Sequence, residues 1–420
     1  MPPEPQPVLD FTDQMRVCLP DETPKSLGVA VSGGGDSTAL LVMLSDWAKP
    51  LGVTLNAATV NHGLRPEALD EAEQVARLCA ALNVSHTVLH WTGWDGKGNL
   101  QDQARRARHG LLAKWAKSLD LAVVALGHTS EDQAETLVMR LMRGSGVDGL
   151  AAMPIVSQRS EIRWIRPLLG AAREELRNFL RVRGIAWSED PSNQNDAFER
   201  IHIRKAIEGL GLSVQGLANT AARMQETRRF LERMTQQAAR SLATITPAGD
   251  ITISRDGFFQ LDTELQNRLL SHSLKWVASA DYRPRFDSLR NLLIKLENGE
   301  KSTLAGCVIT PNRNATFTVS REYAQVGDLV TVPSAAWDHR WVLTGGPETT
   351  GVTIRATGEN GLLACPDWRA VGLPRTSLIA APSVWHDSQL IAAPLAGWPQ
   401  GWSISLRKGA EDYFSSILSH

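Results

Sequence analysis

The chain has 420 residues, enough for two or three domains at about 100–200 residues each. Its formal net charge of −1 gives the chain as a whole no field that would attract nucleic acid, so such a partner must bind at local basic patches. No apolar run approaches the roughly 18–20 residues of a membrane span, and the acidic, proline-rich start MPPEPQPVLDFTDQ lacks the regions of a signal peptide. These features predict a cytoplasmic protein with no membrane partner.

The cysteines are few and widely spaced, and none of them forms a C-x-x-C pair: Cys18, Cys79, Cys307 and Cys365. This spacing indicates neither a zinc site nor a disulfide framework. We expect all four to be buried as small hydrophobic side chains.

Short apolar or β-branched runs alternate with helical patterns from residue 27 to 185, which is typical of βαβ units on a parallel sheet. Strands are predicted at LGVAVSG (27–33), VTLNAATVN (53–61), VSHTVLHW (84–91), LAVVALGH (121–128) and EIRWIRPL (161–168). Helices are predicted at STALLVMLSDWA (37–48), ALDEAEQVARLCAALN (68–83), LQDQARRARHGLLAKWAKSL (100–119) and SEDQAETLVMRLMR (130–143). The predicted fold is α/β, a doubly wound, mostly parallel, Rossmann-like sheet that binds ligands beyond the carboxyl ends of its strands.

The rest of the chain has a different character. Between residues 210 and 300 two amphipathic helices flank a short β-like piece, DITISRDGFFQL. After residue 300 short strands are broken by Gly, Pro, Asn and Asp, and the tryptophans of this region are expected to pack a β-rich core rather than to stack on bases. We therefore predict three domains: an α/β domain at 1–208, a mainly helical domain at 209–300 and a β-rich domain at 301–420.

The stretch SGGGDS, residues 32 to 37, lies between the first predicted strand and the first predicted helix. We call it the glycine loop. A strand-to-helix turn of this kind points backbone N–H groups and the positive end of the helix dipole at one spot, which suits an anion. It is not a Walker loop, because Asp36 stands where that motif has lysine, and it lacks the third glycine of a Rossmann motif. A carboxylate beside phosphate requires a bridging cation, so the loop predicts ATP with Mg²⁺ held through the phosphates at Asp36.

The glycine loop resembles the S-G-G-x-D-S pyrophosphate-binding loop of the N-type ATP pyrophosphatases, the PP-loop superfamily. Further stretches are similar to the tRNA(Ile)-lysidine synthase family: NHGLR (61–65), ARRAR (104–108), GHTSEDQAETLVMRLMRGSGVDGLAAM (127–153), RPLL (166–169) and WSEDPSNQNDAFERIHIRK (187–205). The resemblance is close up to about residue 205, and the helical middle and β-rich tail follow the layout of the longer bacterial members.

The resemblance implies a ligase that acts on the wobble cytidine of tRNA(Ile) with a CAU anticodon. ATP adenylates the C2 oxygen of the base, free L-lysine then attacks C2 through its side-chain amine, and AMP leaves. The two predicted domains at 209–300 and 301–420 would contact the tRNA. The attacking amine must be neutral, so a carboxylate or an imidazole has to accept a proton.

The resemblance also assigns roles to residues. Catalysis would involve Asp36, Arg108, His128 and Asp132, with Arg105 or Arg108 steadying the charge of the adenylate. Lysine would be recognised by Asp132 and Glu135, which share one face of a predicted helix and which we call the acidic pair. The ATP site would comprise Ser32, Gly33, Gly34, Gly35, Asp36, Ser37, Asn61, His62 and Arg65. The tRNA would be bound by Arg166, Arg200 and Arg204.

Three positions depart from the family pattern. Thr129 replaces a histidine and Glu131 replaces an aspartate in the common G-H-H-x-D-D-Q, which puts a metal-ligand role at position 129 in doubt. Ile201 replaces the usual asparagine after Arg200.

Two alternatives stay open at this point. One is another PP-loop enzyme that modifies tRNA, such as a thiolase, although sulfur insertion generally needs cysteines and none lies near these motifs. The other is a non-catalytic nucleotide or RNA binder, although Asp36 and the acidic pair are intact. The sequence leaves the oligomeric state open, a homodimer included.

Overall fold

The computed structural model describes residues 10–21, 23–63, 68–92, 100–189, 199–280, 282–346 and 351–418. The chain divides into two compact units, Met1–Arg228 and Arg229–His420. None of the described helices is both long enough and apolar enough to cross a membrane.

The first unit is built on a six-stranded sheet with the strand order β3-β2-β1-β4-β6-β5. Its strands are β1 Ser26–Ala30, β2 Thr54–Asn61, β3 Ser85–His90, β4 Val123–Leu126, β5 Val156–Arg159 and β6 Ile162–Ile165. Its helices are α1 Phe11–Cys18, α2 Gly35–Leu51, α3 Ala68–Ala81, α4 Leu100–Ser118, α5 Ser130–Met142, α6 Val147–Leu150, α7 Arg173–Val182 and α8 Glu199–Gly209, and α9 Val214–Leu242 begins in this unit.

Both faces of the sheet are covered, as the doubly wound prediction requires. Leu27 and Val29 of β1 belong to a hydrophobic core that includes α2 and α7, whereas Ala30 packs with Trp115 of α4 in a second core. Alternate residues of one strand thus point to opposite layers, which explains why the strand reads as a continuous apolar run. All five predicted strands form, and β1, β2, β3, β4 and β6 pair in parallel.

The sheet has one strand that the sequence analysis did not predict. β5 pairs with β6 in antiparallel register, from Val156 opposite Ile165 to Arg159 opposite Ile162. β5 forms the edge of the sheet, and its last two residues are exposed. It therefore lacks the buried apolar pattern that marks the other strands.

The second unit combines helices with three small antiparallel sheets. Its strands are β7 Ala243–Ile245, β8 Ile251–Ser254, β9 Ser302–Leu304, β10 Cys307–Pro311, β11 Thr316–Arg321, β12 Trp341–Gly345, β13 Val352–Ala356, β14 Pro382–His386, β15 Gln389–Ala392 and β16 Trp402–Leu406. Its helices are α10 Arg255–Phe259, α11 Thr263–Val277, α12 Phe286–Glu297, α13 Gly358–Ala364, α14 Arg375–Ile379 and α15 Ala410–Ser415.

The boundary predicted at residue 300 falls inside this second unit. β8 pairs with β11 in one five-stranded sheet, so residues from the predicted helical and β-rich domains share a hydrogen-bonded ladder. They also share a core that runs from Ala239 to Ile417. Helical spacing in the sequence marks α11 but cannot reveal which strands a short β segment will join.

Three local predictions have different outcomes. Only Ile251–Ser254 of the stretch DITISRDGFFQL form a strand, because the chain turns into α10 at Arg255. The tryptophans of the tail pack in cores as expected, with Trp337, Trp341 and Trp402 buried. All four cysteines are buried and free.

Candidate active site

The glycine loop lies at the carboxyl end of β1, where the order of the strands reverses. β1 pairs with β2 on one side and with β4 on the other, and Ala30 lies opposite Leu126 at the end of the ladder. The segments that follow β1 and β4 therefore meet at one edge of the sheet. This is the place where open α/β sheets bind ligands.

The glycine loop has a conformation that requires glycine at one position. Gly33 has φ of +89°, in the region that side chains disfavour, and α2 begins two residues later at Gly35. The hydroxyl of Ser37 accepts a hydrogen bond from the backbone N–H of Ser32 at 3.0 Å and donates to the carbonyl of Gly34 at 3.1 Å. These bonds close the turn, and the N–H groups of the first turn of α2 have no partner within the helix.

Two neighbouring segments pack tightly on the glycine loop. A Cβ atom at Gly127, just after β4, would lie 3.0 Å from the Cα atom of Ser37, so this glycine permits close approach of the two backbones. The backbone N–H of Ser188 donates to the carbonyl of Gly33 at 2.9 Å. The motif WSEDPSN thus begins with a direct contact to the loop, as far as its described residues extend.

Asp36 forms an ion pair with an arginine that is distant in the sequence. Nε of Arg173, the first residue of α7, donates to Oδ2 of Asp36 at 2.9 Å, and each side chain is only about one-fifth exposed. Burial raises the pKa of the Asp36 carboxyl, while the guanidinium group opposes that rise. Asp36 is therefore held in place by charge before any ligand arrives.

Asp132 of the acidic pair caps α5 and faces two guanidinium groups. Its Oδ2 accepts from the backbone N–H of Thr129 at 2.9 Å and from the Thr129 hydroxyl at 3.1 Å. Its Oδ1 lies 3.8 Å from Nη2 of Arg173 and 3.6 Å from Nη1 of Arg200. Burial alone would raise the pKa of Asp132, but the nearby positive charges and the capping bond hold it below its ordinary value, so the carboxylate is ionised.

Glu135, the other member of the acidic pair, is nearly inaccessible, with 3% of its side chain exposed. Its Oε1 accepts from Nε and Nη2 of Arg204 at 3.0 and 2.8 Å. Its Oε2 has no hydrogen-bond partner among the described residues. Burial raises the pKa of Glu135 in spite of Arg204. A buried carboxylate oxygen without a partner is costly, and it marks a place where a donor from a ligand would be stabilised.

His128 is neutral in this environment. Burial is the main cause that lowers its pKa, to about 3. The charge of Asp132 opposes this shift, and Arg166 and Arg108 add to it. Its Nδ1 has no hydrogen-bond partner among the described residues. A neutral imidazole with an unpartnered nitrogen can accept or donate a single proton at this edge of the sheet.

The remaining residues predicted for the site have mixed outcomes. Arg108 is half-buried on α4, where burial and Arg105 lower its pKa and Asp132 opposes that shift. Asn61 is buried at the end of β2, and its Oδ1 accepts from the N–H of Gly63 at 2.8 Å. The ring of His62 meets Trp91 edge to face at 5.6 Å. Arg65 lies outside the described residues.

Arg166 does not have the exposure expected of a tRNA contact. It is 9% exposed, and its Nη1 donates to the carbonyl of Pro154 at 3.0 Å and to the hydroxyl of Ser157 at 3.2 Å. These bonds tie β6 to the segment before and within β5. The side chain therefore supports the sheet edge, and burial lowers its pKa to about 10.

The role of Arg173 was not predicted from the sequence. A cation in the first turn of a helix is unfavourable for the helix dipole, and this position is the signal that could have drawn attention to it. The departures at Thr129 and Glu131 also gain a structural explanation. Thr129 caps α5 through Asp132, and the Glu131 carboxylate accepts from the backbone N–H of Arg173 at 3.0 Å.

The chain is similar to known proteins over the PP-loop region and over most of its length. A family model described as a PP-loop domain matches residues 8–209. Among solved structures, the U34-tRNA thiolase NcsA from Methanococcus maripaludis aligns over 52% of this chain and 77% of that chain, with 17% identity and a TM-score of 0.46. The tRNA(Ile)-lysidine synthase of Wolbachia pipientis is 35% identical over 330 residues, with 76% of each chain covered. That of Ruegeria pomeroyi is 46% identical over 414 residues, with 98% of each chain covered. At this identity and coverage, the chain belongs to the tRNA(Ile)-lysidine synthase family.

Proposed function

We propose that this chain ligates free L-lysine to C2 of the wobble cytidine, position 34, in tRNA(Ile) with a CAU anticodon. The reaction uses ATP, passes through adenylated tRNA and releases AMP and pyrophosphate. It converts the anticodon from reading AUG to reading AUA. We further propose that it takes place in the cytoplasm.

One observation carries this proposal. The guanidinium group of Arg173 lies 2.9 Å from Asp36 in the glycine loop and 3.8 Å from Asp132 in the acidic pair. A single side chain thus spans the region assigned to ATP phosphates and the region assigned to lysine. Two substrates bound there would be close enough to react on one RNA base.

The first half-reaction makes the C2 oxygen into a leaving group. The glycine loop would bind the pyrophosphate end of ATP through its backbone N–H groups at the start of α2. The partly exposed carboxylate of Asp36, at the same helix end, fits a magnesium ion bound to those phosphates, and the ion would offset the repulsion between carboxylate and phosphate. Arg108, half-buried on α4, would steady the negative charge of the adenylate.

The second half-reaction needs lysine held with its side-chain amine neutral. The acidic pair would bind ammonium groups of lysine, and Oε2 of Glu135 is an acceptor without a partner among the described residues. Nδ1 of His128 is a second acceptor of this kind. Glu135, whose pKa is raised by burial, is the better suited of the two to accept the proton that the amine loses before it attacks C2, because the low pKa of His128 makes the imidazole a weak base.

The tRNA would be bound in part by Arg200 and Arg204 on α8, whose side chains are 38% and 39% exposed. Arginine binds phosphate through paired N–H groups, and such contacts position an RNA without reading its sequence. An anticodon loop is single-stranded, so its wobble base can leave the stack at low cost.

The alternative activity as a thiolase is not favoured. All four cysteines are buried, and Cys18 and Cys79 belong to the hydrophobic core of the first unit. Burial raises the pKa of both thiols to about 11, so neither offers a reactive thiolate at neutral pH.

The decisive experiment combines the purified protein with ATP, magnesium, labelled lysine and a CAU-anticodon tRNA(Ile) transcript. Label is expected on the RNA only when ATP is present. A matched transcript with uridine at the wobble position is the control, and it should stay unlabelled. Absence of label on the CAU transcript, with ATP cleavage unaffected by tRNA, would overturn the proposed function.

A further inference from the structure

Two arginines of α8 cover the acidic pair. Nη1 of Arg200 lies 3.6 Å from Oδ1 of Asp132, and Arg204, one turn further along the helix, binds Oε1 of Glu135 through two N–H groups. The carboxylates are buried, whereas more than a third of each arginine side chain reaches solvent. In each ion pair the arginine is therefore the partner that solvent and an RNA can reach.

These guanidinium groups take the place that ammonium groups would need. Oε1 of Glu135 accepts two charge-assisted bonds from Nε and Nη2 of Arg204, which occupy the acceptor sites of that oxygen. Asp132 already faces Arg200 and Arg173. Three guanidinium groups thus pair with two carboxylates, and Oε2 of Glu135 is left without a partner among the described residues. Free lysine carries a net positive charge at neutral pH, so it has to compete with these cations in order to bind.

An RNA backbone can remove this competition. Phosphate oxygens bind arginine as well as carboxylates do, in the same paired geometry, and the exposed parts of Arg200 and Arg204 are accessible to them. A phosphate that draws either guanidinium outward would leave a buried carboxylate without its partner. A buried, unpaired charge is strongly unfavourable, so the acidic pair would then favour a new cation.

We propose that Arg200 and Arg204 form an RNA-responsive cover over the acidic pair, so that the chain binds lysine weakly until tRNA is bound. The inference rests on the proposed function, because it takes the acidic pair as the lysine site and α8 as a tRNA contact. It adds an order of binding, in which tRNA binds first and lysine binds second. By thermodynamic linkage, lysine must also strengthen the binding of tRNA by the same factor.

The test measures the affinity for labelled lysine by equilibrium dialysis, without ATP so that no reaction occurs. For the unchanged chain, tRNA(Ile) with a CAU anticodon should tighten lysine binding by a factor between about 5 and 150, the usual range of coupling between sites. Arg204→Gln should tighten lysine binding in the absence of tRNA and reduce the effect of adding tRNA. Arg200→Gln should act in the same direction with a smaller effect, because its contact with Asp132 is longer.

Arg77→Gln is the matched control, because Arg77 lies on the exposed surface of α3 and pairs only loosely with Glu73 at 3.9 Å. It should behave like the unchanged chain. Equal lysine affinity with and without tRNA in the unchanged chain would overturn the proposal, and so would an Arg204→Gln variant that binds lysine no more tightly. Label incorporation by the unchanged chain, measured in parallel, separates the two cases: if incorporation succeeds and coupling is absent, only this inference fails.

Discussion

The glycine loop and the acidic pair lie at the same edge of one sheet but are built in different ways. The loop is made by backbone geometry within six consecutive residues, with Gly33 at positive φ and Ser37 closing the turn. The acidic pair depends on side chains from distant segments, since Arg200 and Arg204 lie about 70 residues away along the chain. A loop of the first kind keeps its shape alone, whereas a site of the second kind can change when its partners move. The comparison predicts that substitutions in the two regions will affect different half-reactions.

The largest effect is expected at Asp36. Asp36→Asn removes the charge at the start of α2 and breaks the ion pair with Arg173, so tRNA adenylation should fall by at least about a hundredfold. The measurement is the tRNA-dependent release of pyrophosphate from ATP. Asp46→Asn, on the same helix but in a surface pair with Arg183, should leave this rate unchanged. Adenylation at the normal rate in Asp36→Asn would refute the role assigned to the loop.

Glu135→Gln should separate the two half-reactions. Loss of a charged acceptor costs about 1.5–3 kcal/mol, so the KM for lysine should rise roughly 10- to 100-fold. Adenylation of tRNA should continue, because the glycine loop is intact. Kinetics at varied lysine concentration give the KM for lysine, and pyrophosphate release gives the rate of tRNA adenylation. The control is Glu174→Gln on the exposed face of α7, and equal loss of both steps in Glu135→Gln would contradict the comparison.

His128 should make the stability of the acidic region depend on pH. Its pKa is about 3 in the folded chain and about 6.5 when unfolded, so the unfolded chain binds the proton more tightly between these values. Stability is therefore lost as pH falls below about 6.5. His128→Asn should reduce this slope in chemical unfolding curves, whereas His90→Asn, at an exposed position, should not. An unchanged slope in His128→Asn would show that the imidazole is not buried in its neutral form.

The smallest effect is expected on unfolding free energy, at two glycines of the glycine loop. Gly33→Ala places a side chain at φ of +89° and should cost about 1–2 kcal/mol of unfolding free energy. Gly35→Ala, at the first position of α2, places a Cβ atom 3.4 Å from the indole of Trp187 and should cost less. Chemical unfolding of both variants measures the difference in unfolding free energy, and the KM for ATP of each variant is measured alongside it. If the two variants lose the same stability, the requirement for glycine is not conformational.

Much of the fold could be predicted because its signals are local. The five parallel strands and the helices between them follow from runs of apolar residues and from helical spacing. The edge strand β5 and the pairing of β8 with β11 could not, because strand partners far apart in the sequence leave no periodic trace. The same limit explains why three domains were predicted where the chain forms two compact units.

The same distinction between local signals and contacts of distant segments applies to the candidate site. The sequence alone determined the glycine loop, since a turn that needs positive φ at Gly33 and a hydroxyl at Ser37 is specified by neighbouring residues. Only the tertiary structure decided that Arg173 joins Asp36 to Asp132, that Arg204 covers Glu135 and that Arg166 is buried. Electrostatic contacts between distant segments depend on where the sheet and helices bring their side chains, and residue type does not reveal that distance.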